Sequence, residues 1–398
     1  MMNAVLKCGL CRRRFSTSIL KHGREIFERD EKIHINVGLI GPSQTGKTSL
    51  ASAFTKVLHE SHGVPVKEIS DIDNSTGERK SGQTQHPSHI ELWRDGYRYS
   101  LTDLPGASVY SRNMLTHLSE LDVAILVINP EEGVVKETID MYNIAKHFGN
   151  LTIPVISTRS TDPEVLDLIL MELEEVGLGQ PQPIILDKPT SSGPDSSTTI
   201  NNFFDALETS IIKPVRSVDE RIYFPLEQAG LIPNRGLFCA GRVQRGRIKV
   251  GSQLQAFFNG HIGKGVVKDM EIFRKKTDCL EAGDRGGLFI KLKPDLECKR
   301  GAVLYEPGFP GLTGADWRVC LQSLPGYGPQ QIKGEHLFYT STFSSGQVRL
   351  DLEEVGGDPV ETVLTCPTSF MALPDTKIVI KLQFGYLVGH LIGPCAES

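Results

Sequence analysis

No run in this 398-residue chain is both long and apolar enough to span a bilayer, so no membrane partner is expected. Its eight cysteines follow neither a metal-ligand nor a disulfide-framework spacing. The nearest to one is Cys8-x-x-Cys11, which falls in a stretch with a different explanation. The other thiols read as core or surface residues of a reducing compartment. Acids are missing altogether from the first 24 residues, and the first one is Glu25. Lys7, Arg12, Arg13, Arg14, Lys21 and Arg24 are basic there, and Ser16, Thr17 and Ser18 are hydroxylated. That is the composition of a mitochondrial transit peptide, assigned to residues 1–30, and the expected address is the mitochondrial matrix. Arg13-Arg14-Phe15-Ser16 resembles a matrix-processing context. Removing the six bases takes the formal net charge from −5 to about −11. So acidic a body argues against a large non-specific nucleic-acid surface, but leaves room for a small specific one.

What is present is organised around Ile33 to Leu50, IHINVGLIGPSQTGKTSL. Ile33, Ile35, Val37, Leu39 and Ile40 predict a buried strand. Gly41-Pro-Ser43-Gln-Thr45-Gly46-Lys47-Thr48 follows and fits G-x-x-x-x-G-K-[ST]. A helix is expected over Ser49 to His59, with Leu50, Phe54, Val57 and Leu58 on one face. In such a loop the glycines let backbone N–H groups wrap a phosphate. Lys47 would reach the terminal phosphates, and the Thr48 hydroxyl would hold Mg²⁺.

Asp71 to His89 is polar, turn-rich and long for a surface loop. Ile90 to Arg94 and Tyr97 to Thr102 predict a hairpin around Asp95-Gly96. The second strand runs into Asp103-Leu104-Pro105-Gly106. An acid at that strand end can hold Mg²⁺ through water, and the Gly106 N–H can sense a terminal phosphate. Further strands (Leu121 to Ile128, Ile153 to Thr158, Pro183 to Leu186) alternate with helices (Thr138 to Phe148, Pro163 to Val176, Ile200 to Ile211). Ser191 to Thr199 is expected to be a loose loop. The alternation predicts an α/β domain over 31–213, with a mostly parallel sheet and helices on both faces.

The order of phosphate loop, long loop with Gly82-x-Thr84, then Asp103-x-Pro105-Gly106, resembles the translational GTPases. DIDNSTGERKSGQT and YSRNMLTHLSELDVAILVI are similar to the switch segments of elongation factor Tu. The resemblance implies that GTP or GDP and Mg²⁺ bind here. It implies that Thr84 closes over Mg²⁺ and the third phosphate, and that Arg112 and Asn113 meet the 5′ end of tRNA. Four departures stand against it. Ala107 replaces the family's water-orienting His, a loss of the kind that costs on the order of 10²–10⁴ in rate. The apolar gate residues become Ser43 and Gln83. The guanine-reading N-K-x-D becomes Arg159-Ser160-Thr161-Asp162. Asp162 keeps its guanine-edge role, but two lost contacts predict binding weaker by about one to three decades. Asp187-Lys188-Pro189 replaces the last base loop.

Residues 214–219 read as a linker. Beyond it, short apolar strands recur between turns, with no strong helix, and predict all-β barrels over 220–308 and 309–398. Gly241-Arg-Val-Gln-Arg-Gly246 and Met270-Glu271-Ile-Phe273-Arg274-Lys275 resemble the second domain of elongation factor Tu. Ala282-Gly-Asp284 and Lys299-Arg300-Gly301 continue that match in register. By this resemblance Glu271, Phe273 and Arg274 hold the acceptor end of tRNA, a chemistry of ribose hydroxyl, apolar wall and phosphate. Arg285 stands where the family lines its amino-acid pocket with Asn. The third domain ends early, and Leu387 to Gly393 is expected to replace the last strand, since an open barrel would leave an unpaired apolar edge.

The expectation is a mitochondrial protein of the elongation factor Tu type. It would carry aminoacyl-tRNA to the mitochondrial ribosome, with a possible guanine-nucleotide exchange factor, and hydrolyse GTP slowly. The alternative is a non-cycling paralogue that binds tRNA, ribosome or exchange factor in a regulatory role.

Overall fold

The structure is a computed structural model and describes residues 26–27, 29, 31–73, 84, 86–106, 111–158, 162–187, 194–232, 235–293 and 296–395. The first domain is a six-stranded sheet in the order β2-β3-β1-β4-β5-β6. Its strands are β1 (Ile33–Ile40), β2 (Ser88–Arg94), β3 (Tyr97–Asp103), β4 (Val123–Ile128), β5 (Leu151–Thr158) and β6 (Ile184–Asp187). β2 runs antiparallel to β3, and the other pairings are parallel. The helices are α1 (Lys47–His62), α2 (Ile69–Ile72), α3 (Ser111–Leu118), α4 (Lys136–Phe148), α5 (Pro163–Glu175) and α6 (Pro194–Ser210). Alternation along β1 sends Ile35, Val37 and Leu39 into a core under α1 and α6, while Ile40 joins a second core under α3, α4 and α5. Burial on both sheet faces explains why these strands read as near-continuous apolar runs.

One expectation fails here. The segment taken as a loose loop enters α6 at Pro194, six residues before the predicted start. Proline at a helix start gives up an N–H that has no intrahelical partner anyway. The Ser-rich composition concealed that start.

The second domain closes a barrel of β7 (Tyr223–Ile232), β8 (Gly236–Arg242), β14 (Arg285–Lys293), β11 (His261–Ile272), β10 (Gln253–Phe258) and β15 (Val303–Tyr305). The pairing of β10 with β11 completes the ring. The short strand β12 (Lys275–Thr277) extends β11 as a hairpin, and β9 (Arg247–Lys249) pairs with β13 (Cys279–Glu281). The third domain is a closed six-stranded barrel: β16 (Leu312–Ser323), β19 (Val360–Ala372), β18 (Ser345–Val355), β17 (Gln330–Thr340), β20 (Lys377–Leu382) and β21 (Gly385–Pro394). β21 pairs with both β16 and β20, so the stretch containing Leu387 to Gly393 supplies the closing strand. Both barrels rest on the first domain.

Candidate functional site

Ile40 ends β1 and the chain turns at once around a loop that no bulkier backbone could follow. Gly41 has φ 140°, and a Cβ there would lie 2.5 Å from the Val127 carbonyl oxygen. Gln44 is left-handed at φ 66°, and Gly46 caps α1 at φ 92°. The helix thus starts at Lys47, two residues before the predicted start, and aims its free N–H groups into the loop. Lys47 is buried and donates to the carbonyls of Gly41 (2.9 Å) and Pro42 (2.6 Å). Thr45 Oγ1 also donates to the Pro42 carbonyl, at 3.1 Å. Burial pushes the Lys47 ammonium down to about 8, against the opposing pull of Asp103 and Glu132. Gly106 closes the far side: a Cβ there would stand 2.5 Å from Lys47 Nζ and 2.6 Å from the Gly41 carbonyl.

Thr48 Oγ1 donates to Asp103 Oδ2 at 2.7 Å and lies 3.1 Å from Thr84 Oγ1. Thr84 in turn donates to Asp73 Oδ1 at 3.3 Å. Four oxygen-bearing side chains from three separate segments therefore meet over the phosphate loop. That donor set suits a hard divalent cation. Asp73 was not anticipated. The short helix α2 places it, and a sequence offering several acids in one polar stretch does not single it out. The cavity here is about 250 Å³ and is lined by Ser43, Gln44, Lys47, Thr48, Asp73, Thr84 and Gly106 among others. A nucleoside triphosphate with Mg²⁺ fits this set, since the Lys47 ammonium, the Thr48 and Thr84 hydroxyls, the Asp73 carboxylate and a Cβ-free wall all face one space, with Asp103 directly behind Thr48. Bound there, Mg²⁺ would neutralise phosphate charge, held by Thr48, Thr84, Asp103 and Asp73.

The expected base-reading residue lies on another element. Asp162 is the exposed N-cap of α5, where its Oδ1 accepts from the Glu164 N–H at 3.1 Å. It does not line the phosphate cavity. Gln83, Ala107, Arg159 to Thr161 and Lys188-Pro189 lie outside the described residues, as does the stretch read as a transit peptide up to Glu25.

The expected tRNA contacts divide into two groups. On α3, Arg112 is exposed, and Asn113 Oδ1 accepts from Arg300 at 3.1 Å. Arg300 also donates to Thr116 and lies over the Phe343 ring. It thus joins three domains at one point, which only its register match hinted at. Burial pushes Arg300 down to about 10. On the second domain, Phe273 (φ 47°) and Arg274 (φ 66°) form the two-residue turn between β11 and β12. Two non-glycine residues in the left-handed region mark a strained tip. Phe273 packs on the barrel core, Arg274 is exposed and Glu271 is buried. Lys275 pins this hairpin to the first domain, pairing with Glu91 at 2.9 Å and lying over Trp93.

Arg285, its side chain only 10% exposed, lies between Glu120 of the first domain and Glu227 of the barrel and donates to both. Burial pushes the Glu120 carboxyl up. Burial acts the same way on Glu227, but Arg285 and His117 outweigh it and hold that carboxyl well below its ordinary range. Arg216, in the stretch read as a simple linker, donates to both carboxylate oxygens of Asp122 at 2.8 and 2.6 Å.

A strand–G-x-x-x-x-G-K-T–helix unit with D-x-P-G at the end of a neighbouring strand, followed by two barrels, is the domain plan of the P-loop GTPase fold carrying two β-barrels. Residues 32–159 match the elongation factor Tu GTP binding domain, and residues 236–305 match elongation factor Tu domain 2. Those two segments are therefore similar to domains of the translational GTPases. Among solved structures the chain is similar to a bacterial selenocysteine-specific elongation factor, EF-Sec, at 18% identity and a TM-score of 0.71. That match covers 92% of this chain and 59% of the other, so the chain spans under two thirds of that relative. It is also similar to translation elongation factor SelB from Methanococcus maripaludis. The complex of that factor with the GTP analogue GPPNHP matches at 20% identity and a TM-score of 0.70, covering 92% and 81% of the two chains. The apo form matches at 19% and 0.70 with the same coverage. At these identities the likeness is one of fold.

Proposed function

We propose that this chain is a GTP-dependent elongation factor of the elongation factor Tu type that carries aminoacyl-tRNA to the mitochondrial ribosome. One observation carries the reading: Thr48, Thr84 and Asp103 meet within hydrogen-bond distance above a buried Lys47. Closing the distant Thr84 loop over the phosphate loop is how a switch senses a third phosphate. The Arg112, Asn113 and Arg300 group and the strained Phe273-Arg274 tip supply contacts for the two ends of the acceptor stem. The basic, acid-free first 24 residues support a matrix address. Ala107 supports slow hydrolysis, because a methyl group cannot orient water. The test is titration with labelled GTP, GDP and ATP, with and without Lys47→Ala, followed by protection of an aminoacyl ester. GTP-selective binding lost in the variant, and GTP-dependent protection, are expected. ATP bound as well as GTP, or binding indifferent to Lys47, would sink the proposal.

One observation favours a second reading, a non-cycling paralogue in a regulatory role. Arg285, at the position aligned with the family's amino-acid pocket, is already held by two carboxylates. Under that reading nucleotide binds, but ribosomes do not stimulate hydrolysis and the ester is not protected.

A further inference from the structure

The buried face between α3 and the second domain holds a group that the nucleotide and tRNA contacts leave unused. His117 Nε2 lies 2.8 Å from Glu227 Oε1, and His89 Nε2 lies 3.7 Å from the same oxygen. The three ligand atoms all fall within 4.8 Å of one another, and this is the one such group among the described residues. His89 comes from β2, His117 from α3 and Glu227 from β7, so the group bridges two domains.

The hydrogen bonds on the far side of each residue fix its state. His117 Nδ1 is 2.5 Å from the Asn113 carbonyl. A carbonyl only accepts, so Nδ1 carries the proton. His89 Nδ1 lies 3.0 Å from Thr102 Oγ1, a hydroxyl oxygen able to accept its proton, which leaves the Nε2 lone pair turned inward. Arg285 Nη1, 3.4 Å from that nitrogen, is engaged by Glu227 Oε2. Both rings thus turn Nε2 inward and tie Nδ1 outward. Glu227 follows the same rule: Oε1 faces the rings, and Oε2 accepts from Arg285, which Glu120 holds in place.

A lone pair on His117 facing a carboxylate oxygen at 2.8 Å is repulsive unless a cation lies between them. The cation is either a second proton or a metal ion. The outward ties favour the metal. Ligating histidines characteristically donate their other ring N–H to an oxygen, and ligating carboxylates are themselves hydrogen-bonded. A tetrahedral ion with bonds of about 2.0–2.1 Å needs ligand atoms about 3.3 Å apart. The two separations from Glu227 bracket that value. We propose that His89 Nε2, His117 Nε2 and Glu227 Oε1 form a site for one zinc-like divalent cation that staples the GTPase domain to the first barrel. Two imidazoles and one carboxylate suit zinc rather than Mg²⁺, and they leave a fourth position for water.

The test uses the full chain, stripped with a chelator and kept in excess Mg²⁺. Co²⁺ is titrated and followed by its visible ligand-field band, then displaced with Zn²⁺. One Co²⁺ per chain with a tetrahedral spectrum is expected. His89→Gln and Glu227→Gln should each weaken Zn²⁺ binding by at least about tenfold. Cys8→Ser with Cys11→Ser should leave it unchanged. No stoichiometric Co²⁺ band overturns the proposal and leaves an ordinary hydrogen bond between His117 and Glu227. Binding indifferent to both site variants, or lost with the cysteines, overturns it as well. If Glu227→Gln fails to fold by circular dichroism, His89→Gln decides alone, since its ring lies at the edge of the cluster.

Discussion

The first domain is joined to its two barrels by different physics. Against the second domain the contacts are ionic. Arg285 bridges Glu120 and Glu227, Asp122 holds Arg216 and Arg242, and Asp284 holds His34 and Arg29. Against the third domain the contact is largely apolar. Leu324, Tyr339, Val379 and Val388 share one core with Leu118, Met141 and Ile144. Among the described residues its polar additions are few: Tyr327 on Asp140, His147 on the Gly389 carbonyl, Lys377 on the His147 carbonyl, and Ser119 on the Ser341 carbonyl. Apolar burial is non-directional and tolerates sliding. Buried ion pairs contribute little net stability but punish any misplacement, because a separated charge stays desolvated. The second-domain interface therefore specifies one arrangement, and the third-domain interface supplies adhesion.

The harshest way to break this contrast is to remove one charge. Arg285→Ala leaves Glu120 and Glu227 buried without their cation and should cost about 3–5 kcal/mol in chemical denaturation. In chelator-stripped protein, replacing the whole triad, Arg285→Met with Glu120→Leu and Glu227→Met, should recover most of that loss, as apolar substitutes for buried ion groups do. Failure of the triple variant to recover stability would show that the charges themselves stabilise.

Next comes Leu324→Ala on the adhesive side. Leu324 is fully buried in the shared core, and its truncation should cost about 2–4 kcal/mol through lost burial and a residual cavity. No partner is left charged, so Leu324→Met should be nearly neutral, a tolerance the ionic side lacks.

Acid separates the two interfaces by sign. Burial pushes Asp122 up, but Arg242 and Arg216 outweigh it and bring the carboxyl down to about 2. Asp122 therefore adds stability that is fully present above its unfolded value near 3.9 and is lost as pH falls through about 2. The shift corresponds to about 2–3 kcal/mol. Asp140 goes the other way: burial raises it, and Tyr327 and Lys136 offset only part of that. Its protonation favours the folded state, so the third-domain contact gains as pH falls. In denaturation at pH 5, 3 and 2, Asp122→Asn should flatten the acid loss and Asp140→Asn should steepen it. Identical profiles for the two variants would erase the distinction.

How much of this was legible depends on the range of the contacts. The phosphate loop was readable because strand, glycines, Lys47 and Thr48 are adjacent in the chain and each has a local reason to be there. Both barrels were readable from strand spacing, and the strand completing the third from its apolar run. Asp73, Glu120, His117, Glu227 and Arg300 were not readable as site residues. Their partners lie 11 residues away in the case of Asp73 and Thr84, and up to 187 in that of Arg300 and Asn113. Nothing local marks a buried glutamate that waits for an arginine from another domain. Arg216 was missed for the opposite reason: a Pro- and Ser-bearing linker composition hid a side chain that anchors Asp122.

The smallest test lies at Tyr327. Its hydroxyl donates to Asp140 at 2.7 Å, and Lys136 Nζ sits 3.9 Å from the ring centroid. Tyr327→Phe keeps the ring, its cation contact and its packing, and removes one hydrogen bond to a carboxylate that burial already disfavours. A bond to a charged group of this kind is worth about 1.5–3 kcal/mol when fully buried. Asp140 is 9% exposed, at the border of the interior, so the lower end, about 1.5 kcal/mol, is expected. The variant should also raise the Asp140 carboxyl further, since the donor that favoured its charged form is gone. Measured by NMR titration of the Asp140 carboxyl, an upward shift with a small loss of stability fits an interface held by apolar contact. A loss as large as that of Arg285→Ala would mean that the third-domain interface, too, depends on a single polar lock.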